Sequence, residues 1–191
     1  MTSLISPHLG RRAFGLGLLS TAGLMAACSN GVDSTGAQTI DARVNATLNE
    51  MYTIYPNTVE IAKKSSGMLV MPLVTEAGFG IGGSYGRGAL RVNDATVDYY
   101  SSIKGSAGFQ IGAQQYAHVL FFMTDTALGD FRRSPGWTVG ADLEYVINDQ
   151  GDSIAADTTT LLSPVLAAVF NQAGLRVGAS LEGSKYTRII P

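Results

Sequence analysis

The chain is short of most residues that do chemistry. It has one cysteine, Cys28, so no intrachain disulfide can form and a cysteine-rich metal site is excluded. Its histidines are two, His8 and His118. Charged residues are scarce at 15% of 191, and 13 Lys plus Arg nearly balance 15 Asp plus Glu. A nucleic-acid binder would carry a clear basic excess, so that class is set aside. Neither an H-E-x-x-H zinc motif nor a Walker lysine occurs. A chain of this length and low charge suits one compact domain.

Glycine is what the sequence has in plenty, 23 in all. The stretch from Gly67 to Leu90, GMLVMPLVTEAGFGIGGSYGRGAL, holds the densest run, at Gly78, Gly80, Gly82, Gly83, Gly86 and Gly88. Glycine at alternate positions leaves one face of a strand nearly bare, so a backbone, a large side chain or a ligand can come close. Gly78, Gly80 and Gly83 form a G-x-G-x-x-G, but a dinucleotide site needs a helix opening at the third glycine. The chain continues instead as SYGRGALRV, which predicts a glycine-rich β hairpin.

Residues 1–27 read as an export signal. Arg11 and Arg12 are its positive region, Ala13 to Met25 its apolar region, and Ala26-Ala27 precede a cut. RRAF resembles a twin-arginine signal, and LMAAC resembles a lipoprotein signal with Cys28 as the acylated (palmitate-bearing) residue. Ser29, not Asp, follows, a pattern that resembles outer-membrane sorting in a Gram-negative envelope. The expected location is the periplasmic side of that membrane. Residues 28–38 then form an anchored, flexible tether, and 39–191 the folded domain. Removing 1–27 takes away two arginines and no acid, leaving a formal charge of −4. Bulk electrostatics then add nothing at an anionic bilayer, and the lipid is what holds the protein there.

In the domain, Ile40, Val44, Leu48, Met51, Tyr52 and Tyr55 lie on one face of an amphipathic helix that Pro56 ends. Asp41 suits the dipole near its start. Asn57 to Glu60 has capping-box spacing for a second helix running to Ser66, with Lys63 and Lys64 in its last turn. Strands are expected at Asp98 to Lys104 and Gly108 to Gln114, with a Gly-Ser-Ala turn between them. Others are expected at Tyr116 to Met123, Trp137 to Ile147, Val165 to Asn171, Leu175 to Glu182 and Ser184 to Ile190. Thr124 caps a third helix, TDTALGDFRRS. The expected fold is α+β: a curved antiparallel sheet or partial barrel of seven or eight strands, an N-terminal amphipathic helix and two further short helices.

Catalytic candidates are few. His118 sits in the apolar run YAHVLFFM, where a hydrogen-bonded core histidine is the reading. Asp142 and Glu144 share a strand face at about 7 Å, the spacing of a carboxylate pair, and read as a solvated face. No catalysis, cofactor or metal is expected.

MLVMPLVTEAGFGIGGSYGRGAL, GSAGFQIGAQ, FFMTDTAL and VFNQAGLRVGASLEG, in that order, resemble the SYLF lipid-binding domain family over about Ala42 to Ile190. The resemblance implies a membrane-associated binding module, not an enzyme. Eukaryotic members bind phosphoinositides through an N-terminal amphipathic helix and basic residues, and fungal members also bind actin. Here the helix corresponds to Ile40–Tyr55 and the basic residues to Lys63 and Lys64. Arg43 is the only base on that helix, against Asp41 and Glu50, so it lacks a polybasic face. The expected lipid-binding residues are Lys63, Lys64, Gly80, Gly82 and Arg87. The expected function is an envelope lipoprotein that binds phosphoinositide-type or other anionic membrane lipid. The alternative is an assembly lipoprotein whose sheet receives an envelope protein by strand addition. Cys28→Ser is expected to release the chain into the soluble periplasmic fraction, and a variant still membrane-bound after high-salt washing would show that lipidation is not what holds it.

Overall fold

The computed structural model describes residues 35–140, 143–147, 163–174 and 180–191, with the backbone alone at 79–80, 106–111, 144–147 and 171–174. Three helices and six strands appear among them: α1 (Gly36–Ile54), α2 (Asn57–Lys64), β1 (Gly67–Val92), β2 (Ala95–Phe122), α3 (Asp125–Arg133), β3 (Trp137–Thr138), β4 (Glu144–Ile147), β5 (Val165–Gly174) and β6 (Lys185–Ile189). The α+β class and the curled, half-barrel sheet agree with the sequence reading. Where strands begin and end does not.

One long hairpin replaces the glycine-rich hairpin expected within the Gly67 to Leu90 stretch, which is a single bent strand, and the three strands expected after it, which are another. β1, of 26 residues, pairs with the 28-residue β2 from Gly67↔Phe122 to Val92↔Ala95. The expected Gly-Ser-Ala turn is strand, with Gly105 opposite Gly83 and Ser106 opposite Gly82. The true turn is Asn93-Asp94, both at positive φ (49° and 63°). That is the two-residue geometry whose twist matches a hairpin, and Asn and Asp tolerate it best after glycine.

So long a ribbon cannot stay flat, because strands twist. Here β1 bends back on itself between Gly78 and Gly82. A Cβ placed on Gly78 would lie 2.8 Å from the Gly82 Cα. Further along, a Cβ on Gly86 would meet the Val74 side chain at 2.7 Å, and one on Gly88 would meet the Val70 carbonyl at 2.0 Å. The two halves of β1 therefore pack inner face to inner face, at a separation only glycine permits. Register shifts at Met71/Val74, Phe79/Ile81 and Leu90/Arg91 supply the curvature.

The other edge of β2 is shared. β6 pairs with its first half (Tyr99↔Ile189 to Ile103↔Lys185) and β5 with its second (Gln114↔Gly174 to Phe122↔Val165). The expected single strand from Trp137 to Ile147 is split. β3 pairs with β6, and β4 pairs parallel to β5, at opposite ends of the sheet order β3-β6-β2-β5-β4. Residues 172–174, between two expected strands, are the end of β5, while the strand expected from Leu175 to Glu182 falls partly outside the described residues.

Alternation along β2 feeds two cores. Ala117, Val119 and Phe121 meet Ile40, Val44, Leu48 and Met51 of α1 and Ile61 of α2. Tyr116, Leu120 and Phe122 meet Leu69, Met71, Leu90, Phe131 of α3 and Tyr186 of β6. Pro56 ends α1 as expected, but it also occupies the N-cap of α2, which makes no side-chain cap bond, so the Asn57 capping box does not form. Thr124 does cap α3, its hydroxyl accepting from the Ala127 N–H at 3.1 Å.

Two glycines test this packing. Gly88→Val is expected to lose about 1–3 kcal/mol of stability by overpacking against Val70 and Met71. By contrast a Cβ on Gly105 meets nothing within 4 Å, and Gly105→Ala is expected to stay within about 0.5 kcal/mol of the parent. Urea unfolding of both variants measures the difference, and equal midpoints would contradict the face-to-face packing.

Candidate functional site

The amphipathic helix, which corresponds to the membrane-contacting helix of eukaryotic relatives, is docked on the sheet. Ile40, Val44, Leu48 and Met51 are all nearly or fully buried, a burial worth on the order of 1.5–3 kcal/mol per side chain. Peeling α1 away would also bare Met68, Val70, Val119 and Phe121 beneath it. Polar bonds pin it further. Asp41 accepts from the Thr96 hydroxyl and the Tyr99 hydroxyl, each at 2.8 Å, which ties the helix to the hairpin rather than serving its dipole. Burial, then the bond to Asp41, pushes the Tyr99 hydroxyl pKa up to about 12, so it remains a donor at any physiological pH. Arg91 adds bonds to Asn45 of α1 at 3.0 Å and to the Asp94 carbonyl.

A groove of about 360 Å³ opens where the start of α1 crosses the doubled β1. Thr35, Gly36, Thr39, Ile40 and Arg43 line one side, and Pro72, Leu73, Thr75, Tyr85, Gly86 and Arg87 the other. Among the described residues, two arginines and no acid line it. A Cβ on Gly86 would meet the Val74 side chain at 2.7 Å and the Leu73 carbonyl at 2.9 Å, so glycine there lets the two halves of β1 close up beside the groove. Leu73 and Tyr85 are 42% and 54% exposed, so the rim is apolar around a cationic lining.

The expected binding residues are distributed, not gathered. Arg87 lies in this groove. Lys63 lines a smaller depression of about 240 Å³ with Met68, Arg91 and Asp94, and pairs with Glu60 at 2.8 Å. That pair is two-thirds exposed and worth a few tenths of a kcal/mol. Lys64 is exposed on the same helix end and lines neither. Gly80 falls at the bend with no β2 partner, and Gly82 stands against Gly78, where they let the strand double back. Arg43 was passed over in the sequence because one base on a helix is a weak signal. Only the crossing of helix and strand sets it beside Arg87.

The catalytic candidates resolve differently. His118 is fully buried, its Nε2 sharing a 2.8 Å hydrogen bond with the Tyr186 hydroxyl, and Nδ1 has no partner among the described residues. Burial lowers its pKa to about 3, so it is neutral in the fold. Asp142 lies outside the described residues. Gly82 to Gly86, GGSYG, has the form G-x-S-x-G, a signal the sequence reading missed. A nucleophile elbow needs its serine exposed on a strand-to-helix turn. Ser84 is instead buried in the middle of β1, opposite Lys104. Elsewhere, Asp98 holds Arg132 of α3 at 3.3 Å and Arg188 of β6 at 3.4 Å. No cluster of three or more metal-ligating side chains occurs among the described residues. Nor, among them, is any helix long and apolar enough to cross a membrane.

Residues 103–188 match the family model described as "Ysc84: Las17-binding protein actin regulator". The match takes in GSAGFQIGAQ from Gly105, FFMTDTAL and VFNQAGLRVGASLEG; the run from Met68 to Leu90 lies before it. No curated protein matches the chain.

The histidine yields a test. Its folded pKa is depressed below the unfolded value near 6.5, so its contribution is present above pH 6.5 and is lost as pH falls toward 3. At pH 5 the loss is about 2 kcal/mol. His118→Gln is expected to cost about 1 kcal/mol at pH 8 through the Tyr186 bond, and to flatten the decline between pH 8 and 5. Denaturant midpoints at the two pH values measure it, and an unchanged slope would refute the assignment.

Proposed function

We propose that this chain, a member of the SYLF (Ysc84) family by its residues 103–188, is an envelope lipoprotein whose domain binds the headgroup of an anionic membrane lipid without catalysis. The family is one of binding domains, associated with lipid or actin. The observation that carries the lipid reading is the groove at the start of α1, lined among the described residues by Arg43 and Arg87 and by no acid. Guanidinium forks match phosphate oxygens in a bidentate geometry, and each such charged bond contributes more than a neutral one. An apolar rim at Leu73 and Tyr85 suits the glycerol and first methylenes of the same molecule. Support for the anchor comes from the sequence around Cys28, and with it the expected place on the periplasmic side of the outer membrane.

Lys63 and Lys64 are secondary contacts in this reading, and Gly80 and Gly82 shape the hairpin that carries Arg87. The family's phosphoinositide-type ligands and this groove share a phosphate monoester or diester as the group recognised. Strand addition by an envelope protein is the competing reading.

The test uses the full chain with Cys28→Ser, sedimented with vesicles of phosphatidylcholine alone or with phosphatidylglycerol added. Binding is expected only with the anionic lipid. Arg43→Glu with Arg87→Glu is expected to weaken it by tenfold or more, as two charge-assisted bonds of about 1.5–3 kcal/mol each are lost. Equal binding by the double variant would remove the groove from the function. Absence of any vesicle binding, with an envelope protein crosslinked instead, would favour the assembly reading.

A further inference from the structure

Beyond the groove, the doubled hairpin carries an exposed apolar ledge. Ile81 is 82% exposed and Tyr85 54%, both on the outward face of β1 with Gly83 between them. Directly across the ladder from Tyr85 stands Ile103, 49% exposed, and across from Gly83 stands Gly105. No Cβ rises between the three large side chains, so they stand clear of a bare backbone. Leu73, on the groove rim, continues the apolar surface toward α1.

We infer that this ledge of Ile81, Tyr85 and Ile103 is the surface the domain lays on the bilayer, orienting the Arg43–Arg87 groove toward lipid headgroups. The inference rests on the anchored lipid-binding reading above. Its first support is reach. Thr35, which lines the groove, stands seven residues after Cys28, a span of at most about 25 Å even when fully extended. A lipid on Cys28 therefore keeps this corner of the domain near the bilayer surface. The second support is shape. Ile81, Tyr85 and Ile103 project from a bare glycine backbone at Gly83 and Gly105, the form of side chains that insert rather than of a surface that receives. Hydrocarbon conforms to whatever enters it. The third is chemistry: tyrosine is favoured where water meets hydrocarbon, its ring apolar and its hydroxyl wet. The buried stripe of α1 cannot supply this surface, since it forms the core beneath.

Position on the bilayer can be read by a single fluorophore. Cys28→Ser removes the natural cysteine, and Ile81→Cys or Thr126→Cys then carries one environment-sensitive label. Thr126 is exposed on α3, which packs on the other core. With vesicles of phosphatidylethanolamine and phosphatidylglycerol, the label at position 81 is expected to shift to the blue and brighten, while that at 126 stays unchanged. Ile81→Asp with Tyr85→Asp, on the same Cys28→Ser chain, is expected to bind those vesicles about tenfold more weakly. If the chain binds vesicles but the label at 81 stays in water, the ledge is wrong and the lipid-binding reading survives. If the chain does not bind vesicles at all, both fall. A blue shift at 81 that grows with protein concentration and needs no vesicle would make a second copy the occupant and overturn the proposal.

Discussion

The doubling of β1 on itself is the contact on which the rest depends. Gly78, Gly86 and Gly88 bring backbone against backbone where any side chain would intrude, down to a notional 2.0 Å from the Val70 carbonyl. Without that approach the hairpin would remain an open, two-faced ribbon, too thin to shelter a core. With it, Leu69, Met71 and Leu90 become interior, and α1 finds a curved apolar surface to cover. The groove at Gly86 and Arg87 is a by-product of the same fold: it is the seam where the helix crosses the doubled strand.

Polar groups mark where this arrangement is held in register. Asp41, Thr96, Tyr99 and Arg91 fasten α1 to the hairpin turn, and Asp98 gathers Arg132 and Arg188 to fasten α3 and β6 on the other side. His118, through Nε2, and the Tyr186 hydroxyl share a hydrogen bond beside the second core. Nearer the bend, Glu76 on β1 accepts from the Gln114 side-chain amide opposite it on β2 at 2.9 Å. These bonds specify one docking geometry among several that apolar contact alone would allow. They also account for residues that looked chemical in isolation.

A binding surface built this way differs from a polybasic helix. In the proposed reading, net charge does not attract the domain to anionic lipid, so specificity falls to Arg43 and Arg87, and residence to the proposed anchor and apolar ledge. In that division of labour each element can be weak alone.

Much was legible in the residues themselves. The stripe Ile40, Val44, Leu48, Met51 announces a helix with a buried face, because a period near 3.6 has no other use in a folded domain. Thr124 with Asp125 announces α3, since a hydroxyl in that place satisfies an otherwise orphaned N–H. The glycines announced close approach, and GSAGFQIGAQ, FFMTDTAL and VFNQAGLRVGASLEG announced the similarity to the Ysc84 family model over residues 103–188. Other features were not local. No residue between 95 and 122 says that the chain passes through Gly105-Ser106-Ala107 without turning, because pairing with Gly83 and Gly82 across the ladder decides it. Trp137 to Ile147 alternates like one strand, yet its two ends pair at opposite edges of the sheet, a choice made by β6 and β5. GGSYG reads as a nucleophile motif until burial in mid-strand removes its turn. Periodicity and caps are properties of a few neighbouring residues, so the sequence alone determined the helices and the glycine-rich character of the hairpin. That Arg43 meets Arg87, and that the sheet is what covers the apolar face of α1, depend on segments distant in the chain, and only the tertiary structure decided them.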